Sequence, residues 1–205
     1  MDPKDIVRSG YNKASVAYRS DDATKEDYAN WLRDLAGRLQ EGASIVDLGC
    51  GCGLPAARWL SDRGFQVLGI DISPVQIARA RDLVPDAEFV CEDMTQVDIP
   101  VGSVDAIVCL YAIIHVPLHE QPSLIQAMHR WLRPSGWLLI TVGSDAWTET
   151  EEDWCDVPGA LMYWSHESSK TYLAWMRTAG FDIEWQRFVP EGDGGHVLIL
   201  ARTSG

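Results

Sequence analysis

A membrane-spanning stretch is the first thing this 205-residue chain lacks. Its longest apolar run, Ala106 to Ile114, is less than half of the ~20 residues a spanning helix needs. The amino end, Met1-Asp2-Pro3-Lys4-Asp5, has no apolar h-region, so a cytoplasmic protein without a signal peptide is expected. Basic residues are scarce: 17 Lys and Arg stand against 30 Asp and Glu, a formal charge of −13. They form no block, and phosphate contacts need clustered cations, which argues against nucleic acid as a partner. Of five cysteines, only Cys50 and Cys52 stand close together, with no second Cys or His pair at ligand spacing. No metal centre is therefore expected, and the thiols suit buried, reduced side chains better than disulfides. Repeats and low-complexity segments are also missing. At 46% hydrophobic residues, one domain over 1–205 with a sizeable core is the expectation.

What is present centres on Ile45-Val46-Asp47-Leu48-Gly49-Cys50-Gly51-Cys52-Gly53. It reads as a buried strand entering a loop with glycine at every second position, then a helix near Leu54-Pro55. Without Cβ atoms the backbone passes close under a ligand, and the following helix offers unpaired N–H groups. A dinucleotide fingerprint wants G-x-G-x-x-G, yet Leu54 stands where its third glycine belongs. Asp47 would also oppose a pyrophosphate, whereas a cationic ligand part tolerates it. The second strand, Gln66 to Asp71, ends in an acid suited to a ribose diol. After the third, Glu88 to Cys91, Glu92-Asp93-Met94 pairs an acceptor for an adenine amino group with an apolar side chain for the ring.

Taken in order, Asp47 to Gly53, Gly69-Ile70-Asp71-Ile72-Ser73 and Cys91-Glu92-Asp93-Met94 resemble the cofactor motifs of class I S-adenosylmethionine (SAM) dependent methyltransferases. Asp105 to Leu110 resembles that family's fourth strand, and Leu132 to Ile140 is similar to its turn into the fifth. The match runs from about Tyr11 to Ile140, with a family-like ending over His196 to Arg202. The resemblance implies that Gly49, Gly51 and Gly53 cradle the methionine and ribose portion, that Asp71 takes the ribose hydroxyls, and that Ile72 and Met94 sandwich adenine. Asp93 would accept from the adenine amino group, and Asp47 would order the loop and face the amino end. Cys50, Gln76 and Leu110 complete the implied cofactor set. Tyr11 and Tyr18 look like paired tyrosines on a segment folding over the cofactor; packing of an amphipathic arm explains their spacing equally well. Cysteine at 50 and 52 and a tryptophan-rich insertion depart from the family pattern.

The alternation of elements predicts a Rossmann-like doubly wound α/β fold with a seven-stranded mixed sheet. Strands are expected at 44–49, 66–71, 87–91, 104–110, 136–143, 181–188 and 196–202, the last two as an antiparallel hairpin. Helices are expected at 54–63, 74–82, 121–132 and 168–178. Residues 1–43 read as a helical arm, with Trp31, Leu32, Leu35 and Leu39 on one face and Gly10 to Arg19 preceding them as a separate segment.

Candidate acceptor-side residues follow from location at strand ends. His115, after the fourth strand, is the first choice for a general base; closing the loop through a backbone carbonyl is the alternative. Tyr163 and His166 stand behind it, Tyr163 as a hydrogen-bond donor and His166 as a second base or a first-turn residue of the next helix. Tyr111 is expected to touch cofactor or substrate. The insertion 144–167 reads as a loop that closes over substrate, with Trp147, Trp154 and Trp164 offering faces to a flat, apolar or cationic molecule. Its acids read as a solvated face. His196 borders the pocket or serves structure, and His119 and His129 read as exposed. The expected activity is methyl transfer from SAM to an oxygen or nitrogen of a small aromatic or amine-bearing metabolite. The alternatives are an NAD(P)-dependent oxidoreductase and a SAM-binding member of the fold that does not methylate. The oligomeric state is not legible.

Overall fold

The computed structural model describes residues 1–22, 26–192 and 194–204. The arm begins with α1 (Pro3–Tyr18), capped by the Asp2 carboxylate, and continues with α2 (Glu26–Ala36). Seven strands then form one sheet: β1 (Ser44–Leu48), β2 (Gln66–Asp71), β3 (Glu88–Cys91), β4 (Val104–Cys109), β5 (Leu132–Gly143), β8 (Phe181–Glu191) and β9 (Gly194–Thr203). Their order is β3-β2-β1-β4-β5-β9-β8. The first five run parallel, while β9 is antiparallel to both β5 and β8. Chain order reverses between β1 and β4, which opens a crevice at their carboxyl ends, where such sheets bind ligands.

Both faces of the sheet are buried because successive strand residues are apolar on either side. Val46, Leu48, Ile107, Leu138 and Ile140 point to one core, closed by α5 (Gln121–Trp131) and α6 (Ser169–Ala179). Ile45, Ala106, Val108 and Leu139 point to the other, closed by α2, α3 (Ala56–Ser61) and α4 (Pro74–Leu83). Trp31, Leu32 and Leu35 are buried there and Leu39 packs alongside, as their spacing predicts.

Several boundaries differ from expectation. The arm is two helices, as the separate early segment suggested, but residues 37–43 are turns rather than helix. Helix α3 is confined to six residues because the glycine loop extends through Pro55. Strand β5 begins at Leu132, which pairs with Val104, before Ser135 turns at φ 62°. The last hairpin is longer than expected, with β8 reaching Glu191; Asp193 of its turn lies outside the described residues. His129 is half-buried, edge-on to Phe181 at 5.1 Å, because Gly180 leaves room for it.

The largest correction concerns 144–167, which is a second, two-stranded antiparallel sheet rather than a loop. Strand β6 (Trp147–Glu151) pairs with β7 (Met162–His166). Thr148 and Thr150 alternate with Trp147, Glu149 and Glu151, a β-branched pattern that favours a strand. His166 therefore ends a strand opposite Trp147 instead of starting a helix. A third apolar cluster joins this hairpin to α1 through Val7, Ala14, Trp154, Ala160 and Met162. Gly10 permits the approach, since a Cβ there would meet the Leu161 carbonyl oxygen at 2.1 Å.

Candidate active site

The glycine loop is held by backbone and by one carboxylate. Gly49 N–H donates to the Ile70 carbonyl at 2.7 Å, and Gly51 N–H donates to Asp71 Oδ2 at 2.9 Å. The other Asp71 oxygen accepts from Ser73 N–H at 2.8 Å. The carboxylate that orders the loop is thus Asp71, not Asp47 as expected. Burial pushes the Asp71 carboxyl up to about 6, against the pull of its two N–H donors. Gly53 turns away from the crevice, and a Cβ on it would meet Val84 at 2.9 Å.

Helix α1 lies across the crevice, pinned at several points. Ser73 Oγ caps α4 by accepting from Gln76 N–H and donates to Asn12 Oδ1. Ser15 Oγ donates to Gln76 Oε1 at 2.8 Å, and Arg79 donates to the Ser15 and Arg19 carbonyls. Near the other end, Lys4 Nζ sits 2.7 Å from Asp93 and 2.5 Å from Glu120.

Beneath α1 is a pocket lined by Tyr11, Tyr18, Asp47, Gly49, Cys50, Gly51, Asp71, Ile72, Gln76, Asp93, Met94 and Leu110, and by Tyr111 and His115 on the β4 side. Of the expected cofactor set only Gly53 is outside this lining. Lys4, Val7, Arg19, Tyr28, Cys52, Leu54, Pro55, Ala56, Ala112 and Val116 also line it and were not foreseen. Arg19 directly follows Tyr18 in sequence, a signal that would have found it.

Three buried polar atoms in this lining have no hydrogen-bond partner among the described residues: Asp47 Oδ2, Arg19 Nη1 and Gln76 Nε2. Burying such groups unpaired costs about 1–3 kcal/mol each, more when charged. Burial, and secondarily Asp71, pushes the Asp47 carboxyl up to about 7. The Arg19 guanidinium lies over the rings of Tyr18 and Tyr28, 5.2 and 5.5 Å from their centroids. One acceptor and two donors together fit the ammonium and carboxylate of an amino-acid end, as SAM carries. Gly51 leaves its place open, since the nearest atom to a Cβ there is 4.0 Å away. Asp93 already accepts from Lys4 and from Thr95.

His115 is buried, with Nδ1 2.8 Å from the Tyr163 carbonyl and Nε2 3.1 Å from the Tyr11 hydroxyl. The carbonyl only accepts, so Nδ1 carries the proton and Nε2 receives the Tyr11 O–H. Burial holds His115 down to about 4, so it is neutral near pH 7. Tyr163 contributes its backbone here. The remaining expected residues are not in the pocket lining. Trp154 is buried against Tyr11 and Tyr18 at 5.0 and 5.1 Å. Trp164 stacks obliquely on His115, Trp147 is exposed beyond it, and His166 Nδ1 bonds the Asp145 carbonyl. Cys50 and Cys52 are buried free thiols, whereas Cys91 is exposed. Among the described residues no group of three or more His, Cys, Asp or Glu is placed to hold a metal ion.

Comparison with known proteins agrees with this geometry. The methyltransferase domain family matches residues 45–136. The 27-O-demethylrifamycin SV methyltransferase of Amycolatopsis mediterranei is 31% identical over 188 residues, covering 85% of this chain and 68% of that protein. The 2-methyl-6-phytyl-1,4-hydroquinone methyltransferase of Synechocystis sp. is 29% identical over 78% of this chain, which spans only 49% of that relative's length. The crystal structure of magnesium protoporphyrin IX methyltransferase from Synechocystis, with bound S-adenosylhomocysteine, superposes with a TM-score of 0.75 at 19% identity, over 99% of this chain and 100% of that one. The chain belongs to the class I SAM-dependent methyltransferases.

Proposed function

We propose that this chain moves the methyl group of SAM to an oxygen or nitrogen of a small molecule in the cytoplasm, with no nucleic acid involved. The observation that carries this is the trio of unpartnered buried atoms, Asp47 Oδ2, Arg19 Nη1 and Gln76 Nε2. An amino-acid end satisfies all three, whereas a dinucleotide would press a pyrophosphate toward Asp47 and Asp71. When bound, the cofactor supplies a methyl group on a sulfonium, and alignment of a nucleophile with it supplies most of the acceleration.

The chain's own residues do the rest. Asp47 takes the ammonium and Arg19 the carboxylate, while Gln76 donates to the same end. Asp71, with lone pairs left beyond its two backbone bonds, takes the ribose hydroxyls. Ile72 and Met94 flank the adenine. The Tyr11 hydroxyl, rather than His115, meets the acceptor first, because it occupies His115 Nε2. A proton leaving the acceptor passes to the Tyr11 oxygen as the Tyr11 proton passes to Nε2. The Tyr163 carbonyl keeps that nitrogen free of a proton by holding the other.

Thermal unfolding with SAM, S-adenosylhomocysteine and NAD tests the reading. S-adenosylhomocysteine at 100 times its dissociation constant adds about 2.7 kcal/mol, a rise of roughly 5–10 °C for a domain this size. NAD should leave the midpoint in place. A shift with NAD alone would overturn the proposal. Once an acceptor is found, Tyr11→Phe and His115→Gln should each lower kcat by about 100-fold.

A further inference from the structure

We propose that the methyl acceptor is a cationic amine without an anionic group, and that it reaches the pocket through a collar of six aromatic rings that begins at Tyr111 and ends at His115. This rests on the methyl-transfer reading above. Both residues line the pocket. From Tyr111 the ring centroids step 5.1 Å to His196, 6.1 Å to His166, 5.8 Å to Trp147, 5.9 Å to Trp164 and 4.5 Å back to His115. The series starts and ends on the pocket and reaches solvent at Trp147, which is 44% exposed. On this proposal the ring series is the route by which the acceptor moves from water to the pocket.

The indole planes are fixed. Trp147 Nε1 donates to Glu149 and Trp164 Nε1 to Glu151, each at 3.0 Å. Both carboxylates thus stand at the edges of the rings, adding negative charge to faces that already attract cations. Segment 144–167 carries seven acids, Asp145, Glu149, Glu151, Glu152, Asp153, Asp156 and Glu167, and no lysine or arginine. The cations on α1 itself are engaged elsewhere: Lys13 Nζ donates to the Gly159 carbonyl at the hairpin's far turn, Lys4 is held by Asp93 and Glu120, and Arg8 pairs with Asp5. Burial lowers both His115 and His166, so these rings are not held as cations that would oppose a charged guest. A formal charge of −13 draws cations to the whole molecule.

The transfer balances. The ammonium gives up one proton to water on its way in, and the neutral nitrogen faces the methyl group. The freed lone pair then forms the nitrogen–carbon bond as the carbon–sulfur bond breaks, and sulfur keeps that electron pair. The product amine retains the positive charge.

Three probes of one shape and different charge test the collar: choline, neutral 3,3-dimethylbutan-1-ol and anionic 3,3-dimethylbutanoate. Each is titrated into protein with S-adenosylhomocysteine while the indole N–H resonances of Trp147 and Trp164 are followed. Choline should shift both resonances and bind about tenfold more tightly than the alcohol, and the carboxylate should not bind. Trp164→Leu should abolish the choline response. Glu149→Gln and Glu151→Gln, both exposed and without a core role, should weaken it severalfold while preserving the fold. Equal binding of choline and the alcohol, preference for the carboxylate, or unshifted indoles would sink the proposal. Calorimetry with S-adenosylhomocysteine separates the two readings. Cofactor binding with the wrong probe order removes the collar alone, whereas the right order without cofactor binding removes the methyl-transfer reading.

Discussion

Gly49 and Gly51 share a left-handed backbone, φ +72° and +55°, yet an added methyl group meets different surroundings at each. At Gly49 a Cβ would stand 2.2 Å from Ala112 Cβ, inside the packing of β1 against β4, while at Gly51 it would project toward open pocket. Gly51→Ala should cost about 1–3 kcal/mol of backbone strain and weaken S-adenosylhomocysteine binding at least tenfold. Gly49→Ala should cost more, because overpacking adds a further 1–3 kcal/mol. Urea melts and calorimetry check the pair; equal costs would refute the packing argument. Asp47 makes a second prediction. A carboxyl titrates near 4 when unfolded and at about 7 here, so the native state binds more protons between those values. The free protein should lose stability as pH rises from about 4 to 7 and level off above. Asp71, at about 6, acts in the same direction. A cationic amino group reverses the sign: S-adenosylhomocysteine binding should release a proton and tighten up to about pH 7. Calorimetry in two buffers of different ionisation enthalpy counts that proton, and Asp47→Asn should remove its contribution.

The cover of the pocket is a unit of its own, made from α1 and the β6–β7 hairpin around Trp154. Its apolar cluster is separate from the two that bury the sheet, so its loss should stay local. Trp154→Ala should strip amide-exchange protection from 3–18 and 147–166 while β1, β4 and β5 keep theirs. Equal loss across the sheet would mean one cooperative core. This unit is also where the sequence was hardest to read. Trp147 and Trp164 lack helical periodicity, and alternating glutamates resemble a solvated run. The strand signal lay in Thr148 and Thr150, whose weight is visible only once Met162–His166 is known to pair with them. Trp154 gave no sign of being the cluster's centre because the rings it packs against, Tyr11 and Tyr18, lie in the distant α1.

The sheet, by contrast, was legible, since β1, β2, β4 and β5 each carry a mainly apolar stretch followed by Gly49, Asp71, Tyr111 or Gly143 at the crevice. The expected cofactor residues, Gly53 aside, line one pocket for the same reason: most of them sit at strand ends. Arg19, Lys4 and Tyr28 were not, because a charge or ring on an arm has no address until the arm is docked. The molecule's charge carries a prediction too. With −13 spread over the chain, self-repulsion lowers stability, so raising NaCl from about 0.01 to 0.2 M should raise the melting point by screening it. A falling midpoint would show that local ion pairs such as Lys4–Asp93 outweigh that repulsion. Finally, β9 lies between β5 and β8 although it is made after both. During synthesis β5 keeps an open edge, with Leu138 and Ile140 beside it, until residues 194–203 have emerged. A chain stopped before β9 should therefore be left with an aggregation-prone edge at β5.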